Sequence, residues 1–183
     1  MHPLSVLPLL LATLLVATLV PSARAADAVT SVPQLDISRY AGQWHEIAHL
    51  PFSFQAKCAG NITAAYTLRE DSQIGVRNAC RDIDGETQVA DGIARPVPGH
   101  PGRLEVRFTP DWLSWVPFLW ADYWVIDLDP GSTWAVVGEP DREYLWILSR
   151  EPAMDRALFE RIKARATAMG YDLEPLIMAA PLR

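Results

Sequence analysis

Eight short segments of strand character follow one another between residues 44 and 148, and residues that favour turns separate them. The clearest is 103–109, where Leu104, Val106 and Phe108 alternate with charged residues, as expected for a strand with one buried face. Consecutive strands with short links form an antiparallel meander. Eight such strands can close into a barrel that holds side chains or one small ligand. We therefore predict an all-β fold, an eight-stranded antiparallel up-and-down β-barrel.

A helical segment follows the eighth strand. Pro152 suits the first turn of a helix and Gly170 is a good stop, so we predict one C-terminal α-helix over about 152–169, packed outside the barrel. The apolar residues that recur at helical spacing are Met154, Leu158, Ile162 and Ala166. Residues 176–180 are predicted to form a short closing strand.

The N-terminus has the pattern of a secretory signal peptide. An apolar run at 7–19 precedes an Ala-x-Ala site that ends at Ala25, so we predict cleavage there and a single barrel domain over 26–183. A transmembrane anchor is the alternative, but the run is short and Pro21 ends it. No cysteine lies near the cleavage site, so we expect no lipid anchor of the bacterial type. Residues 27–34 are expected to form a mobile leader.

The net charge limits the kinds of partner that the chain can bind, and the cysteine content predicts a disulfide. The formal net charge of the chain is −6, which argues against nucleic acid and against purely electrostatic binding to anionic membranes. The two cysteines are Cys58 and Cys80, and in an exported protein we expect a disulfide between them. Two buried thiols are the alternative. A metal site is a weaker one, because no histidine lies near them in the sequence.

Two motifs at the ends of the strand region resemble those of the lipocalin family, in particular the bacterial outer-membrane lipocalins and their apolipoprotein D relatives. The first is Gly42-Gln-Trp44, and the last is the run Tyr-Leu-Trp-Ile-Leu-Ser-Arg that ends at Arg150. The likeness covers roughly residues 35–180. It implies that the guanidinium of Arg150 packs across the indole of Trp44 and closes the base of the barrel, a favourable cation–π arrangement.

The resemblance also indicates which side chains face the interior. Side chains alternate along a strand, so if Trp44 points inward, Glu46 and Ala48 do too. His45 and His49 then face outward. The residues expected to line a ligand cavity are Glu46, Ala48, Ala64, Tyr66, Val76, Ala94, Val106, Phe108, Tyr123, Val125, Ala135, Val137, Tyr144 and Trp146. This lining is mostly small and apolar and suits an aliphatic chain with one polar end; a barrel filled by its own side chains is the alternative. We expect Glu46 to pair with an inward arginine or to cap the polar head of a ligand.

An aromatic loop at 111–120 lies at the predicted mouth of the barrel. Trp112, Trp115, Phe118 and Trp120 would form a large apolar patch if they were exposed. The patch could be a lid over the ligand, a dimer interface or a contact with a membrane, where tryptophan is well placed. We favour a mouth that meets a membrane or a hydrophobic cargo.

The resemblance implies a non-enzymatic carrier or scavenger of fatty acids, lysophospholipids or similar small hydrophobic molecules, exported to the periplasm, with association with the outer membrane left open. The alternatives are a lipid-modifying enzyme that uses Glu46 or a tyrosine, and an envelope interaction protein that uses the aromatic loop. The sequence has no Gly-x-Ser-x-Gly motif or readable catalytic triad. We expect no catalytic residue, cofactor, metal or nucleic-acid partner, and a monomer or weak homodimer.

Overall fold

The computed structural model describes residues 28–110, 113 and 116–183. The predicted signal peptide at 1–25 lies outside the described residues, and so do Trp112 and Trp115. The strands are β1 (Gly42–His49), β2 (Cys58–Leu68), β3 (Ile74–Asp82), β4 (Thr87–Val97), β5 (His100–Arg107), β6 (Ala121–Leu128), β7 (Trp134–Gly138), β8 (Leu145–Ser149) and β9 (Ile177–Met178), and the α-helices are α1 (Ile37–Tyr40) and α2 (Arg156–Ala168).

Over the described residues, β1 to β8 close into an eight-stranded antiparallel barrel, which confirms the predicted fold. Each strand pairs with the next in the chain, and β1 pairs with both β8 and β2. The closure places Gly42 opposite Tyr66 and His45 opposite Ser149. The predicted closing strand is β9, which adds to the edge of β1 through Ala48.

The N-terminal segment packs across the barrel instead of forming a mobile leader. Val29 is buried, and the backbone N–H of Val32 donates to the carbonyl oxygen of Val125 at 2.8 Å. Helix α1 then begins after Asp36, whose carboxylate accepts from the N–H groups of Ser38 and Arg39. This short helix carries the chain to the start of β1 at the base of the barrel.

Helix α2 covers the outer wall of the barrel. It begins later than the sequence predicts because Asp155 caps it, while the backbone of Met154 pairs with the C-terminal residues 181 and 183. Phe159, Ile162 and Ala166 are its buried residues. They join an outer cluster with outward residues of the barrel strands, including Ile47, Val136, Leu145 and Ile147. Within the part of the chain that the structure describes, no helix is both long and apolar enough to cross a membrane.

A bulge in β1 changes which residues face the interior. The pairing with β8 shifts between Glu46, opposite Leu148, and Ala48, opposite Ile147. A bulge adds one residue to one strand and interrupts the alternation of side chains. Ala48 therefore belongs to the outer cluster beneath α2, and the prediction that it lines the cavity is wrong. The prediction of an outward, exposed His49 is also wrong, because its side chain is buried beside Glu46.

Candidate functional site

The base of the barrel is closed by a stack of two side chains. The guanidinium carbon of Arg150 lies 3.7 Å from the centroid of the Trp44 ring, and the indole is fully buried. The indole Nε1 donates to the carbonyl oxygen of Tyr40 at 2.8 Å. Gly42 has φ of +96°, which a glycine adopts without strain, and a Cβ there would lie 3.4 Å from Nη1 of Arg150. The arrangement that the sequence motifs imply is present.

Three tyrosines occupy the lower interior above this base. The hydroxyl of Tyr123 lies 2.7 Å from those of both Tyr40 and Tyr66. Burial raises the pKa of Tyr66 to about 12, and burial also raises the pKa of Tyr40 and Tyr123 well above the usual value. The three hydroxyls are therefore neutral and hydrogen-bond to one another, so they form a layer of side chains above the base.

Most of the predicted lining residues meet inside the barrel. Those that belong to the inner cluster or pack against it are Ala64, Tyr66, Val76, Ala94, Val106, Tyr123, Val125, Ala135, Val137 and Trp146. Tyr144 precedes β8, and its ring stacks on that of Trp146 with centroids 6.0 Å apart. Phe108 follows the end of β5 and is 45% exposed, so it lies at the rim.

Glu46 is a buried carboxyl group inside this apolar surface. Its Oε2 accepts from Nε2 of Gln55 at 2.8 Å, and its Oε1 has no hydrogen-bond partner among the described residues. Burial raises the pKa of Glu46 to about 7. The expected arginine partner is therefore wrong; a neutral amide from a loop takes that place.

His49 is the second titratable group at this point. Its Nε2 lies 3.7 Å from Oε1 of Glu46, and burial lowers its pKa. Burial thus favours the neutral form of both groups, so near neutral pH the contact is not an ion pair. Across the described residues, no group of three His, Cys, Asp or Glu side chains is arranged to hold a metal ion.

The loop between β1 and β2 forms a roof over Glu46. Its 3-10 turn, Ser53–Gln55, carries Gln55, whose Oε1 accepts from Nε1 of Trp146 at 3.1 Å. The ring of Phe52 meets Tyr144 and Trp146 edge-on, with centroids 5.0 and 5.5 Å apart. Sequence reasoning missed Phe52 and Gln55, because a loop has no periodicity that marks the residues it turns inward.

A disulfide between Cys58 and Cys80 ties the end of the roof loop to β3, which confirms the predicted bridge. The Cα atoms are 5.6 Å apart. Because Cys58 is the first residue of β2, the bridge fixes one end of the loop and leaves the segment that carries Gln55 held by side-chain and local contacts.

Cavities formed by the described residues lie next to the roof loop and on the outer wall of the barrel. One, of about 360 Å³, is lined by residues 49, 51–53, 55, 56, 58 and 177 next to the roof loop. His49 and Gln55, which both contact Glu46, form part of its wall. The other, of about 290 Å³, lies on the outer wall and is lined by Arg69, Asp71, Gln73, Ile93, Arg95, Arg107 and Trp120.

The described part of the aromatic loop divides into two environments. Trp120 packs on the outer wall, with its ring centroid 4.0 Å from the guanidinium carbon of Arg95 and 5.1 Å from that of Arg107. The prediction that Trp120 joins an exposed patch is therefore wrong, because outward arginines on β4 and β5 attract the indole. Phe118 is 85% exposed, as expected for a residue at the mouth.

Comparison with known proteins identifies the family. A model described as a lipocalin-like domain matches residues 35–181. The chain belongs to the lipocalin family. Members of this family bind small hydrophobic ligands and are generally binding or transport proteins.

Several named lipocalins are similar to this one in sequence. It is 36% identical to temperature-induced lipocalin-1 of Arabidopsis thaliana over 148 residues, which is 79% of this chain and 78% of the relative. It is 35% identical to the outer membrane lipoprotein Blc of Escherichia coli over 150 residues, 81% of each chain. Apolipoprotein D of Mus musculus is 31% identical over 150 residues, 77% of this chain and 74% of the relative.

Solved structures agree with the lipocalin fold. Insecticyanin from the tobacco hornworm Manduca sexta matches with a TM-score of 0.63 and 18% identity, over 87% of this chain and 92% of that one. Apocrustacyanin C1 matches with a TM-score of 0.62 and 14% identity, over 80% and 79%. At these identities the likeness supports the barrel fold alone.

Proposed function

We propose that this lipocalin is an extracytoplasmic carrier or scavenger of fatty acids, lysophospholipids or similar small hydrophobic molecules, without a catalytic role. The observation that carries the proposal is an apolar barrel with a sealed floor and a roof made by one loop. Arg150 and Trp44 close the floor. Gln55 and Phe52 hold the roof through side-chain contacts that can break without unfolding a strand.

The residues that we propose to contact the ligand line the barrel from the tyrosine layer above the base up to the rim. Small side chains such as Ala64 and Ala94 leave room in the lower part of the barrel, and Trp146 and Glu46 supply polar groups beneath the roof loop. The complete proposed set is Glu46, Ala64, Tyr66, Val76, Ala94, Val106, Phe108, Tyr123, Val125, Ala135, Val137, Tyr144 and Trp146.

We place this carrier in the periplasm. The Cys58–Cys80 disulfide fits an oxidising compartment, since such bridges are rare in the cytosol. The predicted signal peptide provides the route of export. Similar proteins from Escherichia coli and Vibrio cholerae are named outer membrane lipoproteins, which is consistent with a place in the envelope.

Native mass spectrometry of the protein, purified without detergent and then incubated with lysophospholipid or fatty acid, tests the carrier role. We expect a mass increment of one lipid per chain. Ala64→Phe should abolish it by filling the interior, whereas Ala65→Phe, on the opposite face of β2, should retain it. Thermal unfolding of both variants checks that the barrel still forms. Equal lipid loading of the two variants, or no loading of the wild type, would contradict the carrier role.

We also propose that the mouth of the barrel contacts a membrane surface. Phe54, Ile83 and Phe118 are 86%, 90% and 85% exposed, and each lies on a different loop at the same end of the barrel. Asp82 and Asp84 flank Ile83, so the surface we expect is zwitterionic lipid rather than anionic lipid.

Co-sedimentation with phosphatidylcholine vesicles tests this contact. The triple variant Phe54→Ser, Ile83→Ser, Phe118→Ser should lose binding, while Leu68→Ser, at the opposite end of the barrel, should keep it. Adding phosphatidylserine should not strengthen binding. Unchanged sedimentation of the triple variant would overturn the membrane contact and leave the carrier role standing.

A further inference from the structure

The side chain of Gln55 occupies a position with defined hydrogen-bonding demands. Its Nε2 donates to Oε2 of Glu46 at 2.8 Å, and its Oε1 accepts from Nε1 of Trp146 at 3.1 Å. Glu46 is only 5% exposed, and its Oε1 is buried without a hydrogen-bond partner among the described residues. Buried polar groups that lose their hydrogen bonds are costly, so any group that displaces the Gln55 amide must both donate to Glu46 and accept from Trp146.

We propose that Gln55 stands in for the polar end of the ligand, and that this barrel prefers long-chain lipids whose head group is neutral and both donates and accepts hydrogen bonds, such as a primary alcohol or a carboxamide. This head group takes the place of the Gln55 amide between Glu46 and Trp146 when the roof loop lifts. The inference rests on the carrier role proposed above and specifies the chemistry of its ligand.

The alternative head group, an ionised carboxylate, fits this position poorly. It can accept from Trp146, but it has no proton to donate to Glu46. Two carboxyl groups in a buried site cannot both ionise without strong repulsion, so one proton must lie between them. A hydroxyl or amide needs no such proton, because it donates to Glu46 whether or not that side chain is ionised.

Among the groups around this site, Glu46 is the one that we expect to change its protonation state near neutral pH. His49 lies 3.7 Å away on β1, and burial lowers its pKa. Tyr66 on β2 has a pKa of about 12 and stays neutral. The neighbours on the roof loop and on β8, Gln55 and Trp146, do not titrate.

The cavity of about 360 Å³ beside the roof gives the ligand a way in. Phe52 and Gln55 form part of its wall, and the same two residues hold the roof to Tyr144 and Trp146. Lifting the 3-10 turn would break these contacts together and join the cavity to the carboxyl group of Glu46. The disulfide at Cys58 would hold the other end of the loop in place while the turn lifts.

Three fourteen-carbon lipids separate the possibilities: tetradecanol, tetradecanamide and tetradecanoate. Their affinities are measured by quenching of tryptophan fluorescence at pH 6 and pH 8, with the wild type and with Glu46→Gln. Because bound tetradecanoate needs a protonated Glu46, its affinity for the wild type should fall about tenfold between these pH values. The affinities for the alcohol and the amide should change much less. In Glu46→Gln the fall for tetradecanoate should disappear.

A second variant tests the stand-in role of Gln55. Gln55→Ala removes the competing amide and should bind tetradecanol severalfold more tightly than the wild type, whereas Lys57→Ala, an exposed change in the same loop, should not. Thermal unfolding confirms that each variant is folded.

The possible failures are distinguishable. If none of the three lipids binds, the carrier role itself is contradicted. Three results would overturn the proposed head-group chemistry and leave the carrier role standing. The first is that tetradecanoate binds as tightly as tetradecanol at pH 8, and the second is that the pH dependence of tetradecanoate binding persists in Glu46→Gln. The third is that Gln55→Ala lowers the affinity for tetradecanol.

Discussion

The guanidinium of Arg150 lies 3.7 Å from the centroid of the Trp44 ring, and its nitrogens also donate to the backbone carbonyl oxygens of Gln43, Arg39 and Ala41. One side chain thus ties the end of β8 to the start of β1 and to the segment before it. The floor of the barrel depends on a planar group that stacks on the indole while its N–H donors reach acceptors on several residues, a geometry that an ammonium cannot reproduce.

We expect Arg150→Lys to lower the free energy of unfolding by about 2–4 kcal/mol, since it loses several charge-assisted hydrogen bonds and the stack. Arg103→Lys is the matched control, because Arg103 stacks at 3.8 Å on Trp124 of the outer wall without closing the floor. Its expected cost is about 0.5–1 kcal/mol. Urea unfolding of the two variants measures the difference, and equal losses would refute a special role for Arg150.

The free energy of unfolding should depend on pH because of the titration of Glu46. Its pKa is about 7 in the folded barrel and 4.5 in the reference state, so the folded protein holds a proton that the unfolded chain releases. The contribution of Glu46 to the free energy of unfolding is therefore at its maximum below about pH 4.5 and is lost as the pH rises toward 7.

Glu46→Gln removes this dependence. We expect the variant to match the wild type near pH 4 and to exceed it at pH 8 by up to about 3 kcal/mol. Chemical unfolding at both pH values measures the difference between the two proteins. A variant that is less stable than the wild type at pH 8 would show that the carboxylate is better accommodated than its burial indicates.

The disulfide should stabilise the barrel and its roof together. Replacing Cys58 and Cys80 by serine removes a constraint on a loop with a sequence separation of 22. The expected loss is about 3 kcal/mol. Hydrogen exchange should also rise in the roof loop more than in α2. Unfolding of the double variant at the same denaturant concentration as the wild type would contradict this assignment.

The two described aromatic residues of the mouth loop should respond differently to truncation. Trp120→Ala removes an indole packed against Arg95 and Arg107 and should cost about 1–2 kcal/mol. Phe118→Ala changes an exposed ring and should stay within about 0.5 kcal/mol of the wild type. Thermal unfolding distinguishes the two, and similar effects would place Trp120 in solvent after all.

The features that the sequence predicts well are those that follow from local patterns. The alternation of Leu104 and Val106 with charged residues marks a half-buried strand wherever the strand ends up in the barrel. The contact between Trp44 and Arg150 is implied by the resemblance of two motifs, at the ends of the strand region, to those of the lipocalin family. The pairing of Cys58 with Cys80 needs only that two cysteines be close in an oxidising compartment.

The features that the sequence does not predict depend on tertiary contacts. The bulge that turns Ala48 toward α2 comes from the pairing of β1 with β8, and a strict period of two cannot show it. Gln55 meets Glu46 because of the path of a loop. Trp120 packs on the outer wall because its indole forms a cation–π contact with Arg95, which is distant in sequence.

Titration with a fluorescent long-chain fatty acid at pH 6 tests the carrier account most directly. The account predicts saturable quenching of the tryptophans, with one lipid per chain at saturation, a dissociation constant of micromolar order, and loss of the signal in Ala64→Phe but not in Ala65→Phe. Quenching that grows without saturation, or that is the same in both variants, would contradict it.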